Sequence, residues 1–211
     1  MTILTKNHAT LVAEVKAHID ADAVVQGQYW SDGKGCFIGC LAHSSDATVL
    51  EEKYGLPLPL VKICERIFEG LREGEARAFF AAIPEAVGRD GKDLTRVHWA
   101  FLASELRAHP TVPPETKSVI DTVIAGMDQL AAGDSWPGAR AAARAAYAAA
   151  YAAAYAGARA AAEAADAAAE AAYAAARSAA YAADAADSAY AAVKRQRDSV
   201  LNLIRTAPVS A

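Results

Sequence analysis

The residues best equipped for chemistry lie in one stretch, Tyr29-Trp30-Ser31-Asp32-Gly33-Lys34-Gly35-Cys36-Phe37-Ile38-Gly39-Cys40-Leu41-Ala42-His43. Two glycines flank Lys34 just ahead of a short helix expected from Cys36 to about His43. Such a loop aims free backbone N–H groups at an anion, while the helix N-terminus and the lysine ammonium add positive charge. Tyr29 and Trp30 supply flat apolar surface that stacks on a base or ring. The combination suits a nucleotide or another phosphorylated small molecule. Lys34 and the amides of Gly33 and Gly35 would hold phosphate, Tyr29 or Trp30 would stack on the base, and His43 would hydrogen-bond. A P-loop is absent, since G-x-x-x-x-G-K-[ST] does not occur. The plain alternative is a glycine-rich turn with an exposed lysine.

Other chemistries fit less well. Cys36, Cys40 and His43 stand at i, i+4 and i+7, with Cys64 available as a fourth ligand. Zinc ligands are usually spaced across a turn rather than along a helix, and free cysteine packs like a small hydrophobe, so no metal site is expected. Cys36 at a helix N-terminus beside Lys34 would have a depressed thiol pKa, but His43 lies two helical turns away, too far to activate it. Glu65 and Glu69 are one turn apart and could do acid–base work. Lys62, Arg66 and Arg72 nearby make surface ion pairs the better reading. His98 beside Trp99 reads as a partly buried core histidine, and His8, His18 and His109 as surface residues. No nucleophile–histidine–acid arrangement can be assembled from spacing, so no catalytic residue and no cofactor are expected.

The elements that must position this stretch are helical, because apolar residues recur at helical spacing and no segment alternates for long like a strand. Helices are expected over 8–25, over 36–43, from a Ser45 or Asp46 cap to Gly55, over 60–70, over 75–83 ending before Pro84, after an Asp93 cap, and over 115–131. From Ala139 to Ala192 the chain is nearly all alanine, the strongest helix former. The exceptions, from Arg140, Arg144, Tyr147, Tyr151 and Tyr155 to Ser188, advance 48 residues in 13 steps. That is about 3.7 residues per step, so they form one polar and aromatic stripe on a helix whose other faces are methyl groups. Arg140, Arg144 and Tyr147 make a secondary candidate surface for a flat ligand or a partner. Val193, Val200, Leu201, Leu203 and Ile204 close the chain with an apolar patch that needs cover. The expected architecture is therefore all-α: a compact multi-helix body over 1–135 and an Ala-rich arm over 136–211 whose C-terminal end packs back on the body. A hairpin in the arm is favoured over one unbroken helix of roughly 100 Å.

Charge narrows the partners. Residues 1–135 hold 13 Lys/Arg against 19 Asp/Glu, a formal −6, and the remainder 8 against 6, a formal +2. Neither half is the strongly basic surface that duplex nucleic acid requires. The alanine tract carries a charge or a tyrosine every few residues and gains little from lipid, so no membrane association is expected. The N-terminal residues lack a signal-peptide layout. The three cysteines form no framework spacing, which points to a reducing cytoplasm.

The segments Tyr29-Trp30, Gly33-Lys34-Gly35-Cys36, Gly39-Cys40, His43, Gly55-Leu56-Pro57, Ile67-Phe68-Glu69-Gly70-Leu71 and Ala82-Ile83-Pro84 resemble those of a family of uncharacterised phage and bacterial proteins. Members are similar in having Ala-rich C-terminal helices that open with a tryptophan, here Trp136. The resemblance implies no established activity, only a setting in which small accessory proteins are often counter-defence factors. The leading expectation is a non-enzymatic protein that captures a phosphorylated, nucleotide-derived small molecule, as a sponge for a host immune signal and as a homo-oligomer. Two alternatives stand beside it: a structural or interaction protein working through the Ala-rich arm, and a small phosphodiesterase-like or thiol enzyme.

Overall fold

The computed structural model describes residues 3–108, 114–139, 141–142, 144–145 and 172–209. Among them the fold is predominantly α-helical. The helices are α1 (His8–Asp20), α2 (Phe37–Ala42), α3 (Thr48–Tyr54), α4 (Leu58–Gly70), α5 (Glu73–Val87), α6 (Val97–Arg107), α7 (Pro114–Ala132) and α8 (Ala172–Thr206). Between α1 and α2, β1 (Trp30–Ser31) and β2 (Lys34–Gly35) pair antiparallel as a hairpin where the sequence reading has only a loop. No helix among the described residues is long and apolar enough to cross a membrane.

Two compact units are distinguished, Met1–Leu102 with Ala192–Ala211, and Ala103–Ala191. In the first, the rings of Phe37, Phe68, Phe79 and Phe80 lie against one another, Phe37 edge-on to Phe80 with centroids 5.8 Å apart. Leu11, Val15, Leu50, Leu60, Ile83 and Leu94 fill the surrounding core, together with Val200, Leu201 and Ile204 of α8. Buried Lys92 ties that last helix in place. Its ammonium donates to the carbonyls of Ala86 (3.2 Å), Ile204 (3.1 Å) and Arg205 (2.8 Å). These are the orphan acceptors at two helix C-termini, where a cation is favoured. Main-chain bonds from Thr5 to Lys92 (2.9 Å) and from Asp93 to Pro208 (2.8 Å) join the N-terminal segment, the 91–93 loop and the C-terminal segment.

Local chemistry moves two helix ends away from their sequence-read positions. α1 stops at Asp20, not near residue 25, because Asp22 adopts the left-handed conformation (φ 52°). The Ala23 amide then reaches the His18 carbonyl (3.0 Å) and the Asp22 amide the Ile19 carbonyl (3.2 Å), which is a Schellman closure. The chain reverses there and brings Val24 beside Gly35. α5, by contrast, runs through Pro84 to Val87. Proline forfeits one backbone bond in the last turn of the helix, and burial of Ile83, Pro84 and Val87 offsets that loss.

In the second unit, α7 is followed by Trp136, whose indole packs against Gly126. A β-carbon at Gly126 would stand 2.1 Å from the ring. Arg107 pairs with Asp128 across the same unit. α8 is continuous from Ala172 to Thr206, about 52 Å at 1.5 Å per residue. Whether the alanine tract turns back on itself depends on residues 146–171, which lie outside the described residues.

Candidate functional site

The hairpin that carries the candidate residues is built by its turn. Asp32 (φ 53°) and Gly33 (φ 77°) both take positive φ, as a two-residue hairpin loop of the I′ kind demands. Pairing follows as Trp30 with Gly35 and Ser31 with Lys34. Gly35 then joins a third segment: its amide donates to the Ala23 carbonyl (2.9 Å) and its carbonyl accepts from the Val25 amide (2.9 Å).

This geometry corrects the phosphate-loop reading at two points. The Gly35 amide is spent on Ala23 and is not aimed at an anion. The first turn of α2 is already served by a carboxylate, since Glu65 Oε2 on α4 accepts the Ile38 amide (3.0 Å). The glycines have a packing role instead. The Tyr29 carbonyl runs across the start of α2 so closely that a β-carbon would meet it at 2.2 Å from position 35 and at 1.2 Å from position 39. Only a residue without a side chain fits at either place.

Tyr29 and Trp30 leave the hairpin on opposite sides, as successive strand residues do. Tyr29 is exposed and lines a cavity of about 220 Å³ with Gly27, Gln28, Cys36, Glu65 and Glu69. Here Glu69 Oε2 accepts the Gly27 amide (2.9 Å), and Gln26 Nε2 latches the loop onto the carbonyls of Phe68 (2.7 Å) and Leu71 (2.8 Å). Cys36 is buried, and the Glu65 carboxylate lies within 4.8 Å of its thiol as an acceptor. Burial, then that acceptor, push the Cys36 thiol up to about 12, the reverse of a depressed nucleophile. Burial likewise raises the Glu65 carboxyl. Glu65 and Glu69 are thus loop anchors, not the surface ion pairs expected of them.

On the other side Trp30 stacks on His43, with centroids 4.6 Å apart and planes 19° from parallel. His18 of α1 stands edge-on to both, 5.5 Å from the Trp30 centroid and 5.3 Å from that of His43. The Nε2 atoms of His18 and His43 are 3.2 Å apart. His43 closes α2 in the left-handed conformation (φ 53°), its amide on the Gly39 carbonyl at 2.8 Å. That backbone turn swings its ring out to an exposed position over Trp30 rather than along the Cys36–Cys40 face of the helix. The pKa of His18 is held below the ordinary histidine value by burial first and by His43 second.

Of the sequence-read residues the structure therefore brings Trp30 and His43 together and adds His18, which the sequence presents as a surface residue. Tyr29 stays on the far side of the hairpin. Lys34 is exposed and pairs in register with Ser31, so it too alternates away from the Trp30 face. Cys36, Cys40, His43 and Cys64 do not converge. Cys40 Sγ is turned to the Gly35 carbonyl (3.1 Å) and Cys64 packs in the core. Among the described residues the thiol and carboxylate ligand atoms that come within 4.8 Å of one another are those of Cys36, Glu65 and Glu69. His98 is buried as expected, its ring 4.4 Å from Trp99. Arg144 is helical and exposed in the second unit, while Arg140 and Tyr147 lie outside the described residues.

No signal within the sequence joins His18 to His43, because 25 residues and a chain reversal separate them. No family model, no curated protein and no solved structure matches this chain.

Proposed function

We propose that the protein captures a planar, anionic small molecule of the nucleotide class on the Trp30 face of its hairpin. The observation that supports this reading is the surface cluster in which Trp30 stacks on His43 with His18 edge-on. Its rings offer an aromatic platform for a base, worth about 1–3 kcal/mol per stacked base. The imidazoles supply N–H donors for phosphate oxygens, and His18 gains positive charge on protonation. The opposite face carries Glu65 and Glu69 and repels phosphate, which favours the histidine side for the anion. Lys34 contributes attraction at a distance rather than a direct contact. In a phage setting such capture would withdraw a host signal from circulation without consuming it.

Native mass spectrometry of the full chain with cyclic and linear nucleotides tests this reading. The expected result is a bound mass released unchanged on denaturation, lost in Trp30→Ala and His43→Ala, nearly retained in Lys34→Ala, and tighter at mildly acidic pH. A released ligand of altered mass overturns capture in favour of turnover. Wild-type binding by both Trp30→Ala and His43→Ala overturns the site.

A further inference from the structure

We propose that His18 and His43 form a divalent transition-metal site, open to solvent, whose two protein ligands are the facing Nε2 atoms. This goes beyond the nucleotide reading and does not depend on it. The 3.2 Å separation is spanned by an N–H···N hydrogen bond between the two rings; with its proton moved to the other nitrogen of the donor ring, the same separation suits two donors on one ion. At metal–nitrogen distances of about 2.05 Å it subtends about 100°, between a cis-octahedral and a tetrahedral angle.

Each ring is held from outside the pair. The Cys40 carbonyl lies near the His18 ring, where a backbone oxygen can orient a metal-binding histidine. His43 is held by the Trp30 indole stacked 4.6 Å away and by its own left-handed backbone at the end of α2. Glu14, one helical turn before His18 on α1, acts electrostatically on both imidazoles, and Lys53 acts against it on His18. Its carboxylate is already engaged by Lys53 Nζ (2.6 and 2.8 Å) and by the Tyr54 hydroxyl, so it does not become a third ligand. The remaining coordination positions fall to water, or to an anionic ligand when one is bound.

Imidazole donors select zinc, copper, nickel and cobalt over magnesium and calcium. The Cys36–Glu65–Glu69 cluster makes a weaker case. Its carboxylates are occupied by the Ile38 and Gly27 amides, and its thiol is buried.

Zinc chloride titrated calorimetrically into the full chain at neutral pH, with no nucleotide present, is the test. One equivalent should bind with a micromolar Kd. His18→Gln and His43→Asn, the latter retaining a residue tolerant of the left-handed region, should each weaken binding at least about tenfold. Cys36→Ser and Glu65→Gln should bind as the wild type does. In the wild type, ¹⁵N imidazole spectra should show both Nε2 resonances move on zinc addition, a readout that does not depend on any variant folding. Millimolar affinity, unmoved imidazole resonances, or binding lost in Cys36→Ser but kept in the histidine variants overturns the site.

Discussion

A β-carbon at Gly39 would stand 1.2 Å from the Tyr29 carbonyl oxygen. The loop and α2 are thus locked backbone to backbone, and the Cys36 amide completes the lock on the Gln28 carbonyl at 2.7 Å. Gly39→Ala is expected to destabilise the protein by about 3 kcal/mol, the upper range for forcing atoms into a packed site. Gly33→Ala, at φ 77° with nothing within 4 Å of its added methyl, should cost about 1 kcal/mol. Denaturant midpoints of the two variants test the order, and equal losses would show that the loop can retreat.

Thiol reactivity should be low in the native state. The thiols of Cys36, Cys40 and Cys64 are pushed up to about 12, 11 and 12, each by burial first. Iodoacetamide at neutral pH should leave all three free cysteines unmodified until the chain is denatured. Rapid native alkylation of Cys36 would contradict the cavity geometry and revive a thiolate mechanism.

Glu65 should leave a mark on the pH profile of stability. Burial raises its folded pKa above the ordinary value of 4.5, so in the window between the two values the folded state holds the extra proton. Its contribution is therefore fully present below the unfolded pKa and is lost as pH rises through the folded one. Glu65→Gln keeps an acceptor for the Ile38 amide and should lack this decline. The difference between wild-type and variant stability, followed from pH 4 to neutrality, isolates the effect; parallel profiles would place Glu65 in water.

Ile204 tests how firmly the end of α8 belongs to the first unit. Its side chain is 2% exposed and packs in the core. Ile204→Ala is expected to cost about 2–4 kcal/mol. A thermal or urea transition unchanged by the substitution would mean that the terminal turn of α8 is only loosely held.

Much of the fold is readable from local pattern. Apolar spacing marks Leu11 and Val15 of α1, Cys64, Ile67 and Phe68 of α4, and the patch Val200, Leu201 and Ile204 that lies in the core. Asp46 and Gly55 bound α3, the former by accepting the Thr48 amide at 2.9 Å and the latter in the left-handed conformation. Asp32-Gly33 also carries the signature of a hairpin turn, but two-residue strands are too short to show alternation, so the sequence reads there as a loop.

What the sequence determined by itself is the helical class, most helix positions and the concentration of chemically useful residues between Tyr29 and His43. Those properties follow from short-range periodicity and turn chemistry. Only the tertiary structure decided how those residues are used. It spent the Gly35 amide on Ala23, set Glu65 against the first turn of α2, sent Tyr29 and Trp30 to opposite sides, and brought His18 to His43. Each of these contacts joins residues far apart along the chain or depends on which way a backbone turn faces. Residue spacing carries neither kind of information, whereas packing around the Phe37 core fixes both.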